Sequence, residues 1–403
     1  MTANASAKPL APRDENDVIA AVADARAAGT PLEIVGGATK RTIGRPMQTA
    51  ATLSVARLSG ITLYEPSELV LGAHAGTPLK DIEKELANNR QRLAFEPIDY
   101  RGLLASDGEP TVGEPTIGAV AAANLSGPRR IYAGAARDAL LGIRMVTGRG
   151  EVIKSGGRVM KNVTGYDLVK LSAGSWGTLG VFTEVIFKVL PETHSERTLV
   201  FEGLTDASAV ASMSAGLGSP FEVTGAAHMA AGIDGPAKTL LRIEGFDEQM
   251  VYRSGELKKL LRTFGVPALL ADDASRALWL KVRDATFFAG TDEAVWRISV
   301  APSHGAAIGA AATAAGGRVF YDWGGGLVWV AMPAASGDGG AAALRAVLPA
   351  DGHATLVRAP ETLRAAVDVF QPQPPAHAAL TRGVKDAFDP DHILNPGRMY
   401  AGM

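Results

Sequence analysis

A short basic, glycine-rich segment near the start of the chain has residue types that could bind an anion. The apolar run 32–35 (LEIV) predicts a strand, and residues 36–40 (GGATK) follow it directly. Glycines let successive backbone N–H groups converge on an anion, to which Thr39 can donate a hydroxyl and Lys40 a charge. The alternative is an ordinary turn after a strand. The segment is not a P-loop, because no Gly-Lys-Ser/Thr ends it. It is not a dinucleotide fingerprint either, because it lacks the pattern Gly-x-Gly-x-x-Gly.

Two further glycine clusters follow in the same half of the chain. Residues 115–130 (PTIGAVAAANLSGPRR) predict a helix of small residues whose N-terminal amides face outward, although the alanine run by itself indicates only a tightly packed helix. Residues 165–184 (GYDLVKLSAGSWGTLGVFTE) carry three glycines that lead into a long strand. Turns alone do not explain three such clusters, whereas a long ligand with two phosphates would use them all.

The surrounding elements predict two α+β domains. A helix at 15–28 is capped by Asp14 and ended by Gly29, and a hairpin turns at residues 148–150. After about residue 195, the order strand, helix, strand, strand occurs about twice, which favours an antiparallel sheet with helices on one face. The predicted divisions are residues 1–195, residues 196–375, and a segment 376–403 that returns to the first domain.

Composition excludes several classes of function. The 403 residues are 47% hydrophobic and 20% charged, and their formal net charge of -2 makes nucleic acid an unsuitable partner. With no cysteine, the chain can form neither disulfides nor cysteine-ligated iron–sulfur clusters. The N-terminus lacks the apolar core of a signal peptide, and no window approaches the ~18 apolar residues of a membrane span. These features predict a cytoplasmic protein.

Candidate catalytic groups are few. The histidines are scattered, so no metal site is expected, and only His228 is kept as a candidate. The polar segment 161–167 (KNVTGYD) adds Lys161, Asn162, Tyr166 and Asp167, unless it is simply a loop held by local hydrogen bonds. Two pairs of neighbouring carboxylates lie in Gly/Pro-rich loops and are expected to be solvated turn residues; they are Asp107 with Glu109, and Asp389 with Asp391.

Taken in order, the motifs resemble those of a known flavoprotein family. The segments VGGATK, PTIGAVAAANLSGP, RDALLGIRMVTGRGEVIKSGG, KNVTGYDLVKLSAGSWGTLGVFTEV and FDPDHILNPGR are similar to the FAD-binding fold of the vanillyl-alcohol oxidase (PCMH-type) flavoproteins, and most similar to the E subunits of bacterial glycolate oxidases. The resemblance covers residues 14–191 and returns at 386–398. It implies an α+β PCMH-type FAD-binding domain of two subdomains, followed by an antiparallel-sheet α+β cap domain.

The resemblance also implies which residues bind FAD. Residues 36–40 match the pyrophosphate cradle, 116–119 with 124–127 match the stretch along the flavin and pyrophosphate, and 174–181 match the segment lining the adenine and isoalloxazine. Two alanines, Ala38 and Ala119, stand where many relatives have glycine. The implied cofactor-binding residues are Gly36, Gly37, Ala38, Thr39, Lys40, Thr116, Ile117, Gly118, Ala119, Asn124, Ser126, Gly127, Gly174, Ser175, Gly177, Thr178, Gly180, Val181, Asn395 and Arg398.

In this family setting the chain is expected to be an FAD-dependent oxidoreductase subunit of a glycolate oxidase complex. FAD would be bound non-covalently, since the glycine clusters contain no histidine or cysteine for attachment. Glycolate, a small 2-hydroxy acid, would be oxidised to glyoxylate, with electrons passed to an iron–sulfur subunit. A second flavoprotein would carry the histidine-rich motif missing here, and these partners could hold the chain at the inner membrane. The alternatives are a non-catalytic scaffold of that complex and an independent flavin oxidase of another alcohol or sugar acid.

Overall fold

The computed structural model describes residues 9–105, 113–157, 165–334 and 336–403. Its two large sheets each have a cluster of buried apolar side chains, one around Leu71 and Phe187 and the other around Trp296 and Phe320. We call the part built on the five-stranded sheet the first domain and the part built on the eight-stranded sheet the second domain.

The strands and helices alternate irregularly along the chain. The strands are β1 Leu32–Val35, β2 Ala51–Ser54, β3 Ile61–Glu65, β4 Val70–His74, β5 Gln91–Arg92, β6 Leu140–Val146, β7 Val152–Gly156, β8 Val181–Lys188, β9 Leu190–Pro191, β10 Ser195–Glu202, β11 Val223–Met229, β12 Lys238–Gly245, β13 Ala268–Ala271, β14 Ala294–Ser299, β15 Arg318–Asp322, β16 Leu327–Met332 and β17 His353–Arg358. The helices are α1 Glu15–Ala28, α2 Leu79–Asn88, α3 Arg101–Leu104, α4 Ile117–Ala123, α5 Arg130–Ala133, α6 Ala136–Ala139, α7 Leu168–Ser172, α8 Asp206–Leu217, α9 Asp247–Leu260, α10 Asp272–Arg283, α11 Pro302–Ala314, α12 Ala341–Ala346, α13 Glu361–Ala366 and α14 Pro375–Phe388.

The first domain follows the local signals of its sequence. Helix α1 begins where the Asp14 side chain accepts a hydrogen bond from the Asp17 amide, and it ends at Gly29 in the left-handed conformation. The five-stranded sheet has the order β3-β4-β8-β6-β7, and β6 and β7 form the predicted hairpin. A separate parallel pair, β1 and β2, holds the start of the first glycine segment, and Leu394 bridges to Leu32 beside it.

The second domain contains the predicted repeat of strand, helix, strand, strand. It occurs first as β10-α8-β11-β12 and again as β14-α11-β15-β16. The sheet order is β13-β10-β12-β11-β15-β16-β14-β17, so each half of the sheet contains one copy. All pairs are antiparallel, and β11 joins β15 where His228 is opposite Tyr321. The predicted antiparallel α+β architecture is confirmed.

The expectation that the helices lie on one face of this sheet is wrong for α10. Helix α8 packs on the face that carries Leu241, because a Cβ on Gly216 would lie 2.9 Å from that side chain. Trp279 of α10 instead packs under Arg242 and beside Gly225. Successive residues of a strand point to opposite faces, so α10 covers the other face. That face also meets the first domain and includes charged residues, which the apolar pattern of the strands does not reveal.

A buried ion cluster joins the two domains on that face. The guanidinium of Arg242 donates to both oxygens of Glu96, at 2.9 and 3.0 Å. Arg129 donates to both oxygens of Glu244, at 2.8 and 2.9 Å, and Arg92 adds a third cation at 2.7 Å. Burial alone would raise the pKa of Glu244, but the three arginines more than offset it and hold that pKa well below its usual range. Removing one partner of such a cluster typically costs about 3–5 kcal/mol, so it fixes how the domains meet.

Candidate functional site

A cleft lies where three segments of the first domain approach one another. Residues 34–41 form one wall, α4 forms the second, and residues 176–182 form the third. The lining residues are Ile34, Val35, Gly36, Gly37, Ala38, Thr39, Lys40, Arg41, Val55, Ala75, Gly118, Ala119, Ala122, Ala123, Trp176, Gly177, Gly180, Val181, Phe182 and Arg398. The three glycine clusters of the sequence therefore meet around one cleft.

The glycines of the first segment are needed because another part of the chain packs closely against them. A Cβ on Gly37 would lie 1.8 Å from the carbonyl oxygen of Glu114, and one on Gly36 would lie 2.2 Å from the hydroxyl of Thr116. The bare backbone thus lets residues 113–116 pack against the loop. This is a different reason from the free, converging amides that the sequence suggested.

Lys40 brings a charge to the cleft that Asp99 and Asp284 attract but that no described residue hydrogen-bonds. Its side chain is buried, and its Nζ has no hydrogen-bond partner among the described residues. Burial lowers the pKa of Lys40 to about 8. The neighbouring Arg41 differs, because it donates to both oxygens of Glu33, at 2.7 and 2.5 Å. Since burying an unpaired ammonium is costly, Lys40 is suited to an anion that enters the cleft.

The second segment does not present its first amides as the sequence predicted. The amide of Ile117 donates to the carbonyl of Thr77, and that of Gly118 donates to Ala75 at 2.9 Å. The expectation of outward-facing amides at the start of α4 is therefore wrong for these two residues. Gly118 is required here because a Cβ would lie 2.7 Å from the Ala75 carbonyl oxygen. The hydroxyl of Thr116 is buried and makes no hydrogen bond within the described part of the chain.

Three predicted residues after α4 lie outside the cleft lining. Asn124 ends the helix in the left-handed conformation, and its side chain accepts from the amide of Arg137. The hydroxyl of Ser126 accepts from Ala136, and the amide of Gly127 donates to carbonyls at 95 and 96. These contacts hold the end of α4 in place rather than presenting groups to the cleft.

The third segment lines the cleft through its central residues. Gly177, Gly180 and Val181, three of the predicted cofactor-binding residues, lie in the wall together with Trp176 and Phe182. The amide of Trp176 donates to the carbonyl of Ala122 at 2.9 Å, which joins this segment to α4. Gly174, Ser175 and Thr178 border a different cavity, beside α14. Trp176 was not among the residues predicted from the sequence, although its place among the three glycines of this cluster is unusual for a large side chain.

Residues near the C-terminus complete the cleft. The fully buried side-chain amide of Asn395 accepts a hydrogen bond from Ile34 at 2.7 Å and donates to the carbonyl of Trp176 at 2.7 Å. It therefore joins the first and third segments. Arg398 donates to the carbonyl of Lys40 at 3.0 Å and lies over the Trp176 ring, while its Nε has no partner in the described residues. Burial lowers the pKa of Arg398 to about 10.

The pair Asp389 and Asp391 was expected to be solvated, and for Asp389 this is wrong. Asp389 is completely buried, accepts from Lys385 at 2.6 Å, and also accepts from the amide of Leu394. Lys385 in turn donates to the carbonyl of Thr178 at 2.7 Å. This ion pair anchors the returning segment to the first domain, whereas Asp391 forms an exposed pair with Arg26.

Two described catalytic candidates, Tyr166 and His228, do not meet. Tyr166 is 90% exposed and does not line the cleft. His228 is fully buried in the second domain, between the hydroxyl of Thr239 at 2.9 Å and Asp206 at 3.3 Å. Four further candidates, Lys161, Asn162, Asp107 and Glu109, lie outside the described residues. Across the described ranges, no group of three histidines or carboxylates could hold a metal ion, and no helix is long and apolar enough to cross a membrane.

Comparison with known proteins places this geometry in a class. Residues 8–156 match the FAD binding domain family. Two solved structures share the fold across 97% of this chain and 88% of their own: p-cresol methylhydroxylase with substrate bound (TM-score 0.71, 13% identity) and 4-ethylphenol oxidase from Gulosibacter chungangensis (TM-score 0.70, 14% identity). The fold is thus that of the PCMH-type FAD-binding flavoproteins, and the predicted fold class is confirmed.

Sequence relatives narrow the class. The chain is 33% identical over 373 residues to glycolate oxidase subunit GlcE of Escherichia coli (strain K12), which covers 92% of this chain and 93% of that protein. A shorter match, 36% over 103 residues, covers 26% of this chain and 22% of glycolate oxidase subunit GlcD of Bacillus subtilis (strain 168). The chain belongs to the family of glycolate oxidase subunit GlcE. The predicted family resemblance is therefore confirmed.

The cross-link through Asn395 can be tested by an isosteric change. In Asn395→Asp the carboxylate can still accept from Ile34 but cannot donate to the Trp176 carbonyl, which is left buried without a partner. We expect the free energy of unfolding in urea to fall by about 1–3 kcal/mol. The matched control is Asn89→Asp, because the exposed Asn89 amide also donates to a backbone carbonyl, that of Glu85. Equal small losses in both variants would contradict the cross-link.

The left-handed backbone conformation of Ala38 can be tested by a substitution. Ala38 has φ 61°, in the left-handed region that disfavours residues with a Cβ. We expect Ala38→Gly to raise the free energy of unfolding by about 0.5–1 kcal/mol, because relief of strain exceeds the entropy lost by glycine. The same substitution at Ala119, within α4, should instead lower it by up to about 1 kcal/mol. Urea unfolding of both variants decides, and a loss at both positions would contradict the assignment.

Proposed function

We propose that the chain binds FAD non-covalently in the cleft and serves as a flavoprotein subunit of a glycolate oxidase complex. The observation that carries this proposal is the pair of buried basic groups, Lys40 and Arg398, whose Nζ and Nε lack hydrogen-bond partners among the described residues at the cleft. The family membership supports the choice of FAD as cofactor and of a 2-hydroxy acid as substrate.

The described residues fit a cofactor with an anionic centre and a large apolar ring. Lys40 and Arg398 would neutralise a diphosphate, because charge-assisted hydrogen bonds are strong where water is excluded. Val181, Phe182 and the Trp176 ring offer apolar walls. None of the lining residues within the described ranges is a histidine, and the chain has no cysteine, which supports non-covalent binding.

The reaction we propose is the oxidation of glycolate to glyoxylate with electrons passed to partner subunits. Bound flavin supplies the acceptor for two electrons from a hydroxy acid. This chain has no cysteine with which to hold an iron–sulfur cluster. An iron–sulfur partner and a second flavoprotein would therefore complete the assembly, in keeping with the relatives' names as subunits. The location of this chain stays a prediction: it would be in the cytoplasm, either free or held at the inner membrane by these partners.

A non-catalytic role in the same complex is the second candidate. It is favoured by the chemistry of the cleft, because the lining residues that the structure describes include no histidine and no carboxylate that could take the hydroxyl proton. His228, the candidate base, lies in the second domain with both ring nitrogens already in contact with Thr239 and Asp206. In this role the chain would hold flavin while the partner flavoprotein oxidises the substrate.

Lys40→Met tests the cofactor site. We expect the purified variant to retain much less flavin than the parent, because the diphosphate loses its buried cation; the flavin-to-protein absorbance ratio measures this. In flavin-free parent protein, affinity for FAD should fall as the pH rises through about 8, where the Lys40 ammonium loses its charge. The variant should lack this dependence. Lys259→Met, which removes an exposed lysine paired with Glu256, is the control. Full retention of flavin by Lys40→Met would contradict the site.

Anaerobic addition of glycolate tests the reaction. We expect the flavin of the isolated chain to stay oxidised and to be bleached once the partner subunits, co-purified from the native source, are present. Bleaching of the isolated chain would instead identify it as the subunit that oxidises the substrate. If the flavin stays oxidised in the complete assembly, the chain has no part in glycolate oxidation.

A further inference from the structure

Two arginines meet on one tryptophan ring at the junction of the domains. The guanidinium of Arg130 lies 4.4 Å from the centroid of the Trp323 ring, and that of Arg297 lies 4.8 Å from it. Arg130 begins α5 in the first domain, whereas Arg297 lies in β14 and Trp323 follows β15 in the second domain. The indole N–H of Trp323 donates to the carbonyl of Gly127 at 3.1 Å, which fixes the ring against the first domain.

Neither cation forms an ion pair with a described residue, although Asp138 attracts Arg130 and Asp322 attracts Arg297 from beyond ion-pair distance. No carboxylate lies within ion-pair distance of Arg130 or Arg297 in the described part of the protein, and the Nε of Arg297 is buried without a hydrogen-bond partner. Burial lowers the pKa of Arg130, and the charge of Arg297 lowers it further, so the two guanidiniums repel each other. Arg129 and Arg242 show the contrast, because each donates to a glutamate. Two unpaired cations held together are suited to an anionic ligand.

The turn that carries Trp323 is strained. Trp323 has φ 53°, a left-handed value that is unfavourable for a large side chain, and the next two residues, Gly324 and Gly325, also have positive φ. Asp322 accepts from the Trp323 amide at 2.7 Å and thereby stabilises the turn. Such strain persists only where the surroundings over-determine it, and it is concentrated at ligand sites.

Other polar groups nearby could recognise an oxygen beside a carboxylate. Asp322 is 2% exposed, and burial raises its pKa to about 7, so its carboxyl can donate a hydrogen bond near neutral pH. Tyr100 is also buried; burial raises the pKa of its phenol and Arg297 opposes that rise, which places the hydroxyl beside the guanidinium. A guanidinium pairs with a carboxylate through two parallel hydrogen bonds.

We propose that Arg130 and Arg297, both held by the Trp323 ring, bind the carboxylate of a small 2-hydroxy or 2-oxo acid. Arg130 comes shortly after the end of α4 in the chain, and Ala122 and Ala123 at that end line the cleft. Arg130 keeps part of its surface exposed although its guanidinium is partly desolvated at the domain junction, so a ligand can enter from solvent. The identity of the ligand rests on the proposed function, whereas the pair of unpaired cations on one ring does not.

Calorimetric titration of the full chain with glyoxylate tests this site. We expect binding by the parent to weaken roughly tenfold to hundredfold in Arg297→Met and in Arg130→Met, as expected for loss of a charge-assisted hydrogen bond. The control is Arg345→Met: Arg345 also lies over a tryptophan ring, that of Trp296, but it donates to backbone carbonyls. Since Arg130 is exposed, its variant keeps the test valid even if Arg297→Met fails to fold.

Comparator anions and flavin-free protein separate the possible outcomes. Acetate lacks the oxygen on C2 that a 2-oxo or 2-hydroxy acid carries beside its carboxylate. Inorganic phosphate is not a carboxylate. Both should therefore bind more weakly than glyoxylate. The site is overturned if the parent does not bind glyoxylate, if both arginine variants bind it as the parent does, or if acetate or phosphate binds equally well. If the protein retains no FAD but binds glyoxylate, the result supports this site and contradicts the proposed cofactor. If the protein retains FAD but does not bind glyoxylate, the result supports the cofactor and contradicts this site.

Discussion

The cleft depends on one buried amide. Asn395 accepts from the backbone at Ile34 and donates to the backbone at Trp176, so it holds together two segments that are far apart in the chain. A fully buried amide can do this because it has both a donor and an acceptor, and neither water nor another side chain competes for them. The ion pair between Lys385 and Asp389 fixes the position from which Asn395 reaches in.

Among the described residues, buried charges are paired at the interface between the domains but not in the cleft. At the interface, Arg129 and Arg242 are each neutralised by a glutamate, and such pairs specify how the surfaces fit as much as they stabilise them. In the cleft, the Nζ of Lys40 is left without any partner among the described residues. The same low dielectric that strengthens the first group makes the second costly, and that contrast separates groups that serve the fold from groups available to a ligand.

Local signals were readable from the sequence, and contacts between distant segments were not. Asp14 and Gly29 set the bounds of α1 because capping depends on neighbouring residues. The glycine clusters indicated which segments form the cleft, but the carbonyl of Ala75 occupies an amide expected to be free. Asp389 looked like a turn residue because its partner, Lys385, precedes it on α14 without any marker of burial. The position of α10 likewise depended on Arg242, a charged residue inside a sheet.

The place of Asn395 in the chain also bears on how the protein is made. Its contacts to Ile34 and Trp176 cannot form until the ribosome has synthesised the whole second domain, which lies between those residues and Asn395. Domains fold as they emerge during synthesis, so the first domain must wait with an open cleft. Closure is therefore a late event in biogenesis, and a truncated product that stops before α14 would keep both sheets yet lack the residues that shut the cleft.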